Sequence, residues 1–390
     1  MKKGLAICLA LILCLSVVGC MQAETHEPPE SGKTVGESPN APEPTSGGEP
    51  AKTDEAVDSA KPLEGVRILQ LCNTRGDGGL HDNAAEGVSR LADEYGAEIK
   101  QVEMGNSSAD VTKYLPTLLD ACEEGWDYIV CGSSQMLDPV KQAATEYPDQ
   151  KIIIFDVEIT RENPGDYANV YSCVFKQNEA SFLAGAMAMA MSDTGTIGFI
   201  GGMEITVIND FLVGYIDGAR YVNPDAQVLH AYVGDWNDLA KAKELANVQY
   251  QMGASCIFPA AGQCFSGIFE TGHDQGKYYI GCDQDRALKY ETTNPEINDY
   301  LLTSVLKLPG NAIVKVFERI IAGEKVFGQH ESLGLKEGSV GLAQNEYYEK
   351  LVPADIRETL DEISAKIVSG EIVVKTMYGM TQEEFNEFRG

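Results

Sequence analysis

Residues 196–218 contain an abrupt change of hydrophobic period, and that change restricts the architectures open to this chain. The first part, Thr196-Ile-Gly-Phe-Ile-Gly-Gly202, is a short apolar run closed by paired glycines, which predicts a buried strand leaving a sheet. In the second part Ile208, Phe211, Leu212, Tyr215 and Ile216 recur at helical spacing, so a helix packed by that stripe follows. Strand, tight turn and helix make half of a βαβ unit. In open α/β sheets the turns at the carboxyl ends of the strands are where ligands bind.

The same rhythm runs through most of the chain. Strands are expected at 66–72, 99–102, 128–131, 152–155 and 169–175, with helices from about 82, around 114–119 and over 140–147. It restarts after a small-residue helix at 182–191, with strands at 196–200, 228–233, 256–258 and 278–281 and helices at 208–222, 238–252 and 266–275. Alternation of this kind predicts parallel sheets with right-handed crossovers, and two successive runs predict two doubly wound lobes. A strand at 300–306, a helix at 310–322, a glycine-rich stretch at 334–343 and two helical segments complete the pattern. At 390 residues there is chain enough for both lobes.

The N-terminus carries a different signal. Lys2 and Lys3 precede an apolar run from Leu5 to Val18, too short to require a permanent span. It ends in Val17-Val18-Gly19-Cys20, which resembles a bacterial lipobox, so residues 1–20 are expected to be a lipoprotein signal with Cys20 as the lipidated residue. Residues 21–62 hold seven of the sixteen prolines, among Gly, Ser, Thr and Glu. Such a segment cannot bury enough apolar surface to offset ordering and is expected to be a disordered tether, reaching about 35 Å as a random coil. Anchor, tether and folded body predict a lipid-anchored protein on the outer face of the cell membrane. The net charge of −29 argues against nucleic acid or anionic lipid as a partner. Seven cysteines follow Cys20, an odd number and no disulfide framework; Cys72, Cys131, Cys173, Cys256 and Cys282 fall in apolar runs where a thiol packs as a small hydrophobe. No cysteine or histidine spacing suits a metal, and no cofactor is expected.

The residues just past the strands are polar, with glycine and one tryptophan among them: Asp77 to Asn83, Gly132 to Gln135, Asp156, Gly202 to Glu204, Gly234 to Asn237, Ala261 to Gln263 and Asp283 to Asp285. Facing each other across a cleft, they would wall one site suited to hydroxyls, amides and a flat group. Local readings compete. Asp77-Gly78-Gly79 also reads as a plain turn, Asp82 or Asn83 as a helix N-cap, Asn237 or Asp238 likewise, and Phe211 as core. Trp236, a large aromatic in a polar turn, calls for a partner. Five histidines, no Gly-x-Ser-x-Gly elbow and no phosphate-binding loop leave an enzyme with little support.

Several motifs, in order, resemble the basic membrane protein family of ABC-transporter substrate-binding lipoproteins, which includes purine nucleoside receptors. They are Asn169 to Gly185, Gly198 to Met203, Phe211 to Tyr215, Val222 to Asp225, Tyr232-Val-Gly-Asp-Trp236, Ile280 to Asp285, Thr303 to Lys307 and Gly334 to Leu342. The resemblance implies a type I periplasmic-binding-protein fold, with ligand between two hinged lobes. Residues 63–173 with about 286–325 would form lobe 1, and 174–285 with about 326–390 lobe 2. It also implies that Asp283 accepts hydrogen bonds from ribose hydroxyls, that Lys307 helps hold the sugar and that Asp156 reads base nitrogens. Asp77, His81, Asp82, Phe211, Trp236, Gly262 and Phe265 complete the expected ligand-binding set. Departures accompany it. Where the family reads Asp-x-Ser-Phe-Asn, this chain has Asp77-Gly78-Gly79-Leu80-His81; Ala85 stands near an expected aromatic; and the third turn of the second lobe is Ala261-Gly262-Gln263-Cys264-Phe265. Trp236 and Phe265 are therefore candidates for a replacement stacking surface. The implied function is capture of a small polar ligand, a nucleoside with purine preferred, for delivery to an ABC permease. The alternatives are a ligand sensor for a membrane partner, a nucleoside-cleaving surface enzyme using the aspartates, and a purely structural antigen.

Overall fold

The computed structural model describes residues 61–390 apart from Asp77. The expected leader, the lipidated Cys20, the tether up to residue 60 and Asp77 lie outside the described residues. The first run of strands is β1 (Arg67–Cys72), β2 (Glu98–Glu103), β3 (Tyr128–Gly132), β4 (Lys151–Phe155) and β5 (Val170–Phe175). The second is β6 (Thr196–Gly201), β7 (Gln227–Tyr232), β8 (Cys256–Ala260), β9 (Tyr278–Asp283) and β10 (Leu301–Lys307), followed by β11 (His330–Leu333) and β12 (Val340–Leu342). They form two six-stranded sheets, ordered β2-β1-β3-β4-β5-β11 and β7-β6-β8-β9-β10-β12. Pairing is parallel throughout except between β10 and β12. The inner strands are continuous apolar runs because helices cover both faces, whereas edge strand β2 is half exposed.

Both sheets repeat one order, with the direction of winding reversing between β1 and β3 and again between β6 and β8. Those reversal points are where an open α/β sheet leaves a crevice at its carboxyl edge. The expected class, two doubly wound lobes of the type I binding-protein fold, is the observed one.

The division of the later chain differs from expectation. Leu301–Lys307, assigned by sequence to lobe 1, pairs in parallel with β9 in the second sheet, and His330–Leu333, assigned to lobe 2, extends the first sheet beside β5. Strand pairing decides this, and hydrophobic period carries no information about which sheet an apolar run will join. The helix Pro309–Ile321 does return to the first lobe, against the helix Leu80–Asp93: Arg90 Nη1 donates to Asn311 Oδ1 at 3.1 Å and Tyr95 to Glu318 at 2.7 Å. The chain thus crosses between the sheets after β5, after β10 and between β11 and β12.

In the second lobe the helices Gln177–Ala190 and Thr206–Val222 touch backbone to backbone. A Cβ at Gly214 would fall on the Asn178 backbone, and one at Gly218 on the Phe182 carbonyl. This is why the apolar stripe first read at Ile208–Ile216 is interrupted by glycines four apart. Among the described residues no helix is long and apolar enough to cross a membrane.

Candidate functional site

The carboxyl-end turns of the two sheets meet around one buried ion pair. Lys307, the last residue of β10, places Nζ 2.9 Å from Asp156 Oδ1 at the end of β4, with the two side chains 5% and 9% exposed. Asp156 and Asp283 follow or end equivalent strands, β4 and β9, and both have left-handed backbones, φ 65° and 68°. That region is uncommon for residues with a Cβ, aspartate tolerating it better than most. Burial alone would lower the Lys307 pKa, but Asp156 and Asp283 beside it outweigh burial and hold it above the ordinary value. Burial pushes Asp156 up, and Lys307 draws it back only in part. The lysine is therefore charged at neutral pH.

Neutral polar groups stand at the neighbouring strand ends. Asn73, at the end of β1, donates from Nδ2 to Ser133 Oγ (3.1 Å) and Gln135 Oε1 (2.9 Å), bridging the first sheet's reversal point. His81 is buried with its ring 6.0 Å from that of Phe155. Burial, then Lys307, lower its pKa to about 4 against the opposing pull of Asp82, so it is uncharged at pH 7. Asn73 Oδ1, His81 Nδ1 and Gln284 Oε1 are buried without a hydrogen-bond partner in the protein. Such a wall suits a neutral, hydroxyl-rich molecule. No group of His, Cys, Asp or Glu among the described residues is arranged to hold a metal ion.

A family model, Bmp, described as ABC transporter substrate-binding protein PnrA-like, matches residues 69–377. The chain belongs to the Bmp family. It is 30% identical over 324 residues to basic membrane protein A of Borreliella burgdorferi, covering 82% of this chain and 90% of that protein. It is 28% identical over 279 residues to the ABC transporter nucleoside-binding protein BmpA of Lactococcus lactis, covering 69% of this chain and 76% of that one. Among solved structures, an ABC transporter solute-binding protein from Aeropyrum pernix superposes with a TM-score of 0.70 at 25% identity, over 83% of this chain and 96% of that chain.

Within this Bmp fold the sequence-predicted residues take distinct places. Asp156, Asp283, Lys307 and His81 are brought together as described. Asp82 turns back on its own loop: its carboxylate accepts from Gly76 N (2.9 Å) and Gly78 N (2.6 Å). It is not an N-cap, since Gly79 holds that position, and Asn83 instead accepts from Gly310 N at 2.9 Å. Asp238 does cap its helix, accepting from Lys241 N. Phe211 is 1% exposed, edge-on to Phe258, with Lys307 Nζ 5.3 Å from its ring centroid. It is core on one side and support for the lysine on the other. Trp236 is half-buried against Gly202 and Gly262, where a Cβ at Gly202 would overlap the indole and one at Gly262 would lie 3.1 Å from it. Phe265 faces the Arg286 guanidinium at 4.1 Å, so its ring carries an arginine.

Gln284 stood among the strand-end residues but outside the expected ligand-binding set; Asn73, at a strand end and available to the same rule, and Arg286 were passed over. Tyr378 had no such signal. It lines a groove of about 370 Å³ beside the hinge together with Asp210, Phe175 and Thr376, brought there by the C-terminal segment. Asp210 fastens that segment, accepting from Thr376 Oγ1 (2.6 Å), Met377 N (2.8 Å) and Gln177 Nε2 (2.6 Å).

Proposed function

We propose that this protein is the lipid-anchored receptor of an ABC importer and that its ligand is a nucleoside, purine in preference to pyrimidine, held between the two sheets. The observation that carries this reading is the buried Lys307 between Asp156 and Asp283 at the junction of the lobes. A vicinal diol is both donor and acceptor, so a carboxylate at Asp283 with an ammonium beside it satisfies both of its faces. Asp156 takes a base N–H, and Trp236, seated on two glycines, offers a flat face for the ring. The nucleoside-binding name of the Lactococcus relative supports the same ligand class. The work of such a receptor is a population shift: ligand contacts made by both lobes favour the closed form that the permease engages. Cys20 is its lipid attachment, and 21–62 is the tether that lets the body reach the permease.

Thermal unfolding of residues 61–390 with adenosine, guanosine, inosine, uridine, ribose and adenine tests this. Purine nucleosides should raise the melting temperature in proportion to the logarithm of concentration, and Asp283→Ala should abolish the rise. A rise with no nucleoside sinks the reading. Release of free base on prolonged incubation would replace it with a hydrolase.

A further inference from the structure

Gln284 lies in the turn after β9 and Arg286 opens the short helix Arg286–Tyr290 that follows, on the second lobe, yet they are only 4% and 5% exposed. What covers Gln284, and part of Arg286, belongs to the other lobe. Gln284 Nε2 donates to the Gly79 carbonyl at 3.4 Å, and a Cβ on Gly78 would lie 2.9 Å from Arg286 Nη1. Each side of this contact is separately stiffened. On the first lobe, Asp82 accepts from the backbone N–H groups of Gly76 and Gly78. Arg286 is held by Nε donating to the Cys282 carbonyl at 3.0 Å, by its backbone N–H donating to Ser304 Oγ at 3.1 Å, and by the Phe265 face.

We propose that Gln284 and Arg286 act as positioning residues, a clasp against Gly78 and Gly79 that sets how long the closed lobes hold their ligand. The clasp touches the opposite lobe, and it rests on the reading that ligand binds between the sheets. Closing brings together the Gln284–Gly79 hydrogen bond and the seating of Arg286 against Gly78. The clasp therefore favours the closed form with or without ligand and lengthens the life of a closed complex. Gly78, with φ +63° and Arg286 against it, is the residue that lets the two surfaces approach.

The test uses Gln284→Glu, which keeps the volume but sets a carboxylate against the Gly79 carbonyl, and Gly78→Ala, which adds a Cβ on the opposite lobe. Both are read by solution scattering of the ligand-free protein and by stopped-flow binding of inosine. Each should enlarge the ligand-free radius of gyration and raise the dissociation rate roughly fivefold, the equivalent of one lost hydrogen bond, with the association rate unchanged. Unaltered scattering and dissociation in both variants would overturn the clasp. If the unaltered protein binds no nucleoside, the ligand reading fails, and scattering alone still decides the clasp. Arg286→Lys, which keeps the charge but loses the planar stack on Phe265, should shift the scattering in the same direction; no shift removes Arg286 from the clasp.

Discussion

Replacing Lys307 with methionine keeps the volume of the side chain and removes the ammonium between Asp156 and Asp283. At an effective dielectric of about 20, unit charges 2.9 Å apart attract by about 6 kcal/mol. Breaking such a buried pair from one side costs about 3–5 kcal/mol, because the other charge stays behind. Asp156 can escape by taking up a proton, which limits the loss to the cost of neutralising a carboxylate. Taking its unfolded pKa as about 3.9, that limit is about 5 kcal/mol at pH 7.5 and about 1.5 kcal/mol at pH 5. The sign follows from the raised folded pKa: the folded variant binds more protons than the unfolded chain, so its stability falls as pH rises through that window. Urea unfolding of both proteins at pH 5 and pH 7.5 should therefore give a small difference at the lower pH and about 3–5 kcal/mol at the higher. Adding Asp156→Asn to the variant should return much of the loss. An equal loss at both pH values, or less than about 1 kcal/mol at pH 7.5, would refute the coupling.

Gly218→Ala should lower stability by about 2–3 kcal/mol by urea unfolding, despite the better helix propensity of alanine, because the new methyl meets the Phe182 carbonyl. Asp210 is fully buried and its pKa is raised to about 6, by burial against the pull of its donors. It therefore favours the folded state at low pH and loses that contribution, about 3 kcal/mol, as pH rises from about 4 through 6. Asp210→Asn should flatten that part of the stability profile; an unchanged slope would remove Asp210 as its source. Gly202→Ala should displace Trp236 and weaken nucleoside binding about tenfold, with a change in indole emission read in a Trp126→Phe background.

The architecture was legible because each strand and helix announces itself in its own hydrophobic period, and alternation leaves few topologies. Asp156 and Asp283 could be found because the rule that ligands gather at strand ends picks out residues one step past an apolar run, whereas Lys307 came from the family resemblance. Lys307 paired directly with Asp156 was not legible, since nothing local joins positions 151 residues apart. The same holds for the exchange of 301–307 and 330–333 between sheets, which depends on which edge is open when a strand arrives. In sequence, an aromatic at a strand end such as Phe265 looks identical whether it faces a ligand or an arginine, and the Arg286 contact on its ring was not legible. Tyr378 reaches the hinge only through the anchoring of Thr376 and Met377 to Asp210, a tertiary event with no trace in period or composition.

Three separate passages of backbone join the two sheets, after β5, after β10 and between β11 and β12. A body attached at one point can turn in any direction, whereas each further connection removes some of that freedom. Lys307 stands at the second passage, the last residue of β10 before the chain leaves its sheet, so its buried pair with Asp156 is itself a tie between the two sheets.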